Sequence, residues 1–285
     1  MTTVGDINLH LMSDCLTLID GGGPFGLVPR TLWSRVVPPV QDNLVPQTLH
    51  CLLVQTDGKN ILIDTGYGHT DDDKFERIFH MTRERGDVVD ALARLGVAPG
   101  DVDIVINTHL HYDHCGGNVM VDTDGTPHAA FPNAEYVVQR REYEDAMRPN
   151  ERTRASYLPK NYQPLVESGQ MRLLDGDTDI VPGVRCVTTP GHTPGHMSVV
   201  IKSGGQTALY ACDLASFAIH FEKLGWMTAF DVEPLVTLET KRHWRQWAYE
   251  NEALVIFPHD AGCPAGRLTD QDGKLRLEPV AIEYA

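Results

Sequence analysis

Two hydrophobic periods share this chain. Short apolar runs bounded by Gly, Pro, Asp or Asn predict strands over Leu49–Gln55, Asn60–Asp64, Ile104–Asn107, Ala134–Gln139, Val184–Thr188, Met197–Lys202, Thr207–Cys212 and Leu254–Phe257. The Asp57-Gly58 pair between the first two reads as a hairpin turn. Elsewhere the period is helical. "GDVVDALARLGV" offers Asp87 as N-cap, Val88, Ala91, Leu92 and Leu95 on one face, and Gly96 as a stop. "EPLVTLETKRHWRQWAYENE" begins with Pro234 in its first turn and runs to about Asn251, acidic residues early and basic ones later, as the helix dipole prefers. Both helices are expected to lie on the outside of a sheet. Strand and helix signals alternate without an internal repeat, which predicts one continuous α/β unit over residues 1–285. Between about 118 and 170 the chain is richer in Pro, Arg, Tyr and Glu, and is expected to be a helical insertion built around "REYEDAM" and "PLVES" that shapes access to a site.

Composition narrows the class. A chain of 285 residues with 42% hydrophobic and 22% charged residues is neither disordered nor membrane-spanning in character. Its amino terminus lacks the basic start and unbroken apolar segment of a secretory signal, so the expected location is the cytoplasm, with no membrane partner. Cys15, Cys51, Cys115, Cys186, Cys212 and Cys263 form no CxxC pair, which argues against a disulfide framework or a thiolate zinc site. The net charge of −15 repels a phosphate backbone and speaks against a nucleic-acid partner.

The chemistry concentrates in "INTHLHYDHCGGN", where His109, His111, Asp113 and His114 fall within six positions directly after a predicted strand. Both alternating imidazoles can point to one side, with Asp113 and His114 in the turn beyond. Neutral imidazole and carboxylate are zinc donors, so this spacing can supply two histidines to one ion and an Asp/His pair to a second. Gly116 and Gly117 are expected to let the backbone pass close to the ions. Further donors stand at the carboxyl ends of other predicted strands, where layered α/β folds gather their sites: His192 in "CVTTPGHTPGH", Asp213 in "LYACDLAS" and His259 in "LVIFPHDAG".

Together, "THLHYDHCGG", "GHTPGH", the Asp of "YACD" and the His of "FPHD" resemble the metallo-β-lactamase superfamily of binuclear hydrolases from about Leu49 to Ala261. The resemblance implies a four-layer αββα sandwich, two mixed β-sheets flanked by helices. It implies that His109, His111 and His192 hold one divalent ion, that Asp113, His114 and His259 hold the other, and that Asp213 bridges them. Zinc is the expected metal, with iron, cobalt and manganese as others such a site takes. "ILIDTGYG" is similar to the family's early Asp-x-Gly segment, in which Asp64 supports the site from behind. His196 is expected to be a structural hydrogen-bonding residue, Cys115 and Cys263 inert thiols, and His10, His50, His69, His80, His128 and His243 ordinary histidines. Two such ions, about 3.5–4 Å apart, activate a shared water and clamp a substrate oxygen, with Asp113 orienting that water or moving its proton.

Within the superfamily the late "FDVEPLVTLETKRHW" and "FPHDAGCPAGRL" segments look most like the lactonase, arylesterase and organophosphate-hydrolase branch. The implied activity is hydrolysis of lactones, acyl-homoserine lactones included, and of aryl and alkyl esters. A phosphotriesterase is the alternative, and a metal-dependent redox protein the alternative from another class. Members that hold two irons for electron transfer typically replace the second histidine of the cluster with a carboxylate, whereas His111 is intact. The acyl-homoserine lactonases commonly place a tyrosine three residues after the bridging aspartate, where this chain has Ser216 followed by Phe217. The substrate pocket is expected to involve Phe217, His220, Phe221 and Trp226, together with Phe25, Leu27 and Trp33 of the loop "GGGPFGLVPRTLW"; that loop reads equally as a surface or homodimer contact.

Overall fold

Tight two-residue turns set up the architecture. Asp57 and Gly58 both take positive φ (48° and 69°), as do Asp272 and Gly273 (54° and 77°), the backbone that matches the twist of a two-residue hairpin. In the computed structural model, which describes residues 2–68 and 73–285, β1 (Thr2–Val4), β2 (Ile7–Asp20), β3 (Leu44–Thr56) and β4 (Lys59–Ile63) form an antiparallel meander. Strand β5 (Ile104–Ile106) joins β4 in parallel. A separate hairpin pairs β6 (Val119–Val121) with β7 (Pro127–Ala129). Strands β8 (Glu135–Gln139) and β9 (Met171–Leu174) complete the first sheet in the order β1-β2-β3-β4-β5-β8-β9. The second sheet runs in chain order through β10 (Thr178–Val181), β11 (Val184–Thr188), β12 (Met197–Ser203), β13 (Gln206–Tyr210), β14 (Leu254–Ile256), β15 (Ala265–Gln271) and β16 (Lys274–Pro279). Within it β13 and β14 are parallel and their neighbours antiparallel.

Three apolar clusters define the layers. Leu9, Leu11, Leu52, Ile61, Ile63 and Ile106 of the first sheet meet Cys186, Val199, Ile201, Tyr210 and Ile256 of the second, so the sheets pack face to face. The outer face of the first sheet, with Leu53, Leu62 and Val105, is covered by Val88, Ala91 and Leu92 of the helix Val88–Arg94. The outer face of the second, with Leu209, Val255 and Phe257, is covered by Phe221 and by Ala248 of the helix Pro234–Glu250. This is the αββα sandwich, each sheet buried on both faces. Asp87 caps its helix as the sequence predicts, its side chain accepting from Asp90 N at 2.8 Å.

The sequence expectation departs from the structure and lacks β1, β6, β7, β9, β10, β15 and β16 altogether. It starts at Leu49 and so misses the long β2–β3 pair, whose alternation is broken where Asp14 and Cys15 oppose a single residue in a β-bulge. It also extends strands too far: Asp64 and Cys212 lie just beyond β4 and β13, both with positive φ (58° and 49°). Residues 118–170 do carry short helices, Arg140–Ala146 and Gln163–Glu167, but the strand expected at Ala134–Gln139 is β8, internal to the first sheet, so the stretch is not an insertion throughout. Among the described residues no helix is long and apolar enough to cross a membrane.

Candidate metal centre

Five strands deliver the site. The carboxyl ends of β4 and β5 in one sheet, and of β11, β13 and β14 in the other, meet at one edge of the sandwich. Beyond β5 the chain enters "HLHYDHCGG", closed at its base by reciprocal amide hydrogen bonds between Asn107 and Asn118 (3.0 and 3.2 Å). The short helix Tyr112–Cys115 then turns His114 inward. Gly116 and Gly117 let the backbone press against the Thr65 and Tyr67 carbonyls, which a Cβ would overlap. Their close approach is to the segment after Asp64.

All seven expected donors converge, drawn from both sheets. His111 Nδ1 stands 3.0 Å from His109 Nε2 and 3.1 Å from His192 Nε2. His114 Nε2 stands 3.2 Å from His259 Nε2, and Asp113 Oδ2 lies 3.7 and 3.8 Å from these two nitrogens. Asp213 sits between the groups, Oδ2 at 3.1 Å from His192 Nε2 and Oδ1 at 3.1 Å from His259 Nε2.

The opposite sides of the rings explain what these short distances mean. His114 Nδ1 faces Asp64 Oδ2 at 3.0 Å, His192 Nδ1 faces Asp231 Oδ1 at 3.0 Å, and His259 Nδ1 faces the Thr48 carbonyl at 2.9 Å. A carboxylate or carbonyl can only accept, so each Nδ1 carries the proton and each Nε2 presents a lone pair. For His114 and His259 this turns two lone pairs toward each other 3.2 Å apart, which repels unless a metal ion or a proton lies between them. The donor set therefore fits metal: His109, His111, His192 and Asp213 for one ion, Asp113, His114, His259 and Asp213 for another.

Electrostatics separate the rings: burial alone would lower His114 and His192, but Cys212 and Asp113 hold the first well above the ordinary histidine range and Asp213 and Asp231 raise the second. Burial, reinforced by the neighbouring imidazoles, pushes His109 and His111 well below the ordinary histidine range, which keeps them neutral. Burial would raise Asp213, but His259, His192 and His114 more than offset it and hold this carboxyl well below its usual value. His196 stays out of the donor set: its Nε2 accepts from Asp213 N at 3.1 Å while Nδ1 donates to the Thr189 carbonyl, and burial lowers it to about 3. Asp64 accepts from Thr108 N (2.9 Å) as well as from His114, a demand that accounts for its left-handed backbone. Asp231 stands inside the "FDVEP" of the branch, yet the sequence carries no signal of its contact with His192, nor of Glu142, which accepts from Leu110 N at 3.0 Å. All six cysteines are unpaired, and His69 lies outside the described residues.

The pocket expectation fails for most of its residues. A cavity of about 80 Å³ reaches His111, Asp113, His192, Asp213 and His259, walled by Ile19, Pro24, Tyr67, Phe79, Tyr112, Phe217 and Phe230 among others. Of the expected wall only Phe217 lines it. Phe25 and Trp33 are buried and stack on each other (4.9 Å between centroids), with His220 and Trp226 edge-on to Phe25; together they support Pro24 and Phe217 from behind. Leu27 is 100% exposed. Phe221 packs beneath the helix Pro234–Glu250. A larger cavity, about 670 Å³, lies beyond Tyr67 and Tyr112 and, among the described residues, shares only those two with the first.

Residues 46–261 match the metallo-beta-lactamase superfamily. An N-acyl homoserine lactonase of Bacillus cereus is 32% identical over 231 residues, spanning 76% of this chain and 83% of that one. A probable metal-dependent hydrolase from Staphylococcus aureus superposes with a TM-score of 0.87 at 30% identity, over 99% of this chain and all of its own. AidC, a dizinc quorum-quenching lactonase solved with a product, shares the fold at a TM-score of 0.79 and 20% identity, over 99% and 97% of the two chains.

Proposed function

We propose, from the premise that the chain belongs to the metallo-beta-lactamase superfamily and is a metal-dependent hydrolase, that it uses two divalent ions, zinc foremost, to hydrolyse lactones, acyl-homoserine lactones among them, and aryl and alkyl esters. The observation that carries this reading is the convergence of five imidazoles and two carboxylates at the floor of a small, mainly apolar cavity. Bound there, the ions would lower the pKa of a shared water and polarise a carbonyl oxygen.

The remaining roles fall to the chain's own residues. Asp64, Asp231 and the Thr48 carbonyl hold three imidazoles in the tautomer that presents Nε2. Asp113 takes the proton of the attacking water and returns it to the ring oxygen as the ester C–O bond breaks, so that lactone and water become a hydroxy acid. Tyr112 takes the part of the missing tyrosine. Burial and Asp113 raise its phenol, which stays protonated at neutral pH, lines the cavity, is hydrogen-bonded to Tyr67 and can donate to the substrate oxygen on which charge develops. Ile19, Phe79, Phe217 and Phe230 offer apolar contact to an acyl chain.

The test is a panel of acyl-homoserine lactones, aryl esters and phosphotriesters with matched leaving groups, run on one metal-quantified preparation and on Tyr112→Phe. Lactones and activated esters are expected to lead, because attack on a carbonyl concentrates negative charge on one oxygen, which a bound ion would meet directly, whereas a phosphotriester needs in-line geometry and room for three substituents. Tyr112→Phe is expected to lower kcat about 100-fold with metal content unchanged. A phosphotriester kcat/KM above those of lactone and ester would replace this reading with a phosphotriesterase.

A further inference from the structure

Glu142 opens the short helix after β8, fully buried, and no lysine or arginine pairs with it among the described residues. Three donors surround it. Oε1 accepts from Leu110 N at 3.0 Å and from the Tyr157 hydroxyl at 3.0 Å, and Oε2 accepts from the Thr193 hydroxyl at 2.5 Å. Leu110 separates His109 from His111, and Thr193 follows His192. One carboxylate thus joins the two loops that carry three histidines of one half of the donor cluster. Tyr157 adds a second tie, its ring packed on that of His111 at 5.1 Å between centroids and its backbone bridged to the same residue. Gly195, in the loop after His192, presses so closely on the backbone of Glu142 that a Cβ there would overlap it.

Hydrogen bonds alone do not explain the choice of an acid. A neutral glutamine could accept from Leu110 and exchange hydrogen bonds with hydroxyls, which can turn to accept. Burying a carboxylate without a cation is costly, and burial does push Glu142 above its ordinary range, against the pull of its three donors and of His192. The missing positive charge is what an ion among His109, His111 and His192 would bring. Resting on the metal-dependent reading above, we infer that Glu142 is a positioning residue and buried counter-charge for the ion held by His109, His111 and His192, fixing both ligand loops through Leu110 and Thr193.

The experiment measures zinc affinity by chelator competition, and the melting temperature of the metal-free protein, for wild type, Glu142→Gln and Tyr157→Phe. Glu142→Gln is expected to weaken one of the two ions at least tenfold while the metal-free melting temperature stays level or rises, since an uncompensated buried charge has gone. Tyr157→Phe, which keeps the charge and loses one donor, is expected to change affinity less than threefold. Wild-type affinity in Glu142→Gln, a metal-free variant that melts lower or does not fold, equal weakening of both ions, or a loss in Tyr157→Phe matching that in Glu142→Gln would each overturn the inference while leaving the binuclear reading intact. A wild type that retains no zinc would overturn both.

Discussion

Three imidazoles at the centre have their far nitrogen held by an acceptor, and Asp231 holds that of His192 at 3.0 Å while accepting from the Thr228 hydroxyl at 2.9 Å. Asp231→Asn leaves the shape and removes the acceptor-only oxygen that fixes the tautomer. It is expected to weaken zinc binding about 10- to 100-fold, read by chelator competition; unchanged affinity would reduce Asp231 to a packing residue. The contrast with the donors themselves shows what a sequence displays. His109, His111, Asp113 and His114 are legible because four metal-capable residues crowd one loop, whereas Asp231 is an isolated acid whose partner lies 39 residues away until the chain folds. Glu142 was hidden in the same way, one acid among several in an apparently exposed helix.

At the scale of elements, turn chemistry was readable and tertiary packing was not. Asp57-Gly58 marked a hairpin, and Asp272-Gly273 carries the same backbone signal between β15 and β16, where the flanking strands are too exposed to show an apolar alternation. The aromatic loop Gly21–Trp33 reads as a wall or a dimer contact with equal ease, because apolar residues on loops serve either role. The fold buries Phe25 and Trp33 as supports. Trp33→Ala is therefore expected to cost about 3–5 kcal/mol of stability in denaturant unfolding, with metal content kept; a change confined to substrate preference would return Trp33 to the pocket. The long helix is tied to the neighbouring loop by Lys241, whose buried Nζ donates to the carbonyls of Trp226 (2.6 Å) and His220 (3.2 Å). Burial lowers this ammonium to about 8 from 10.5. Between those values the unfolded chain binds more protons than the folded one, so Lys241 opposes folding below about pH 8 and does so progressively less as pH rises toward 10.5. The stability of wild type relative to Lys241→Met is expected to increase between pH 7 and 10 in urea unfolding; a constant difference would contradict the buried ammonium.

The whole molecule converges on one edge where two sheets meet. Donors from β5 on one side and from β11, β13 and β14 on the other face each other across the sandwich, so ions bound there would join the halves as well as perform chemistry. A ligand that binds only the folded state adds about 4 kcal/mol at a thousandfold excess over its Kd, and the metal-free protein is expected to melt at a lower temperature. The most direct measurement is lactone hydrolysis by metal-free protein as zinc is returned in steps, with bound zinc counted at each step. The account predicts no turnover without metal and a rate that reaches its plateau only at two ions per chain. Full activity in the metal-free protein, or a plateau at one ion, would contradict it.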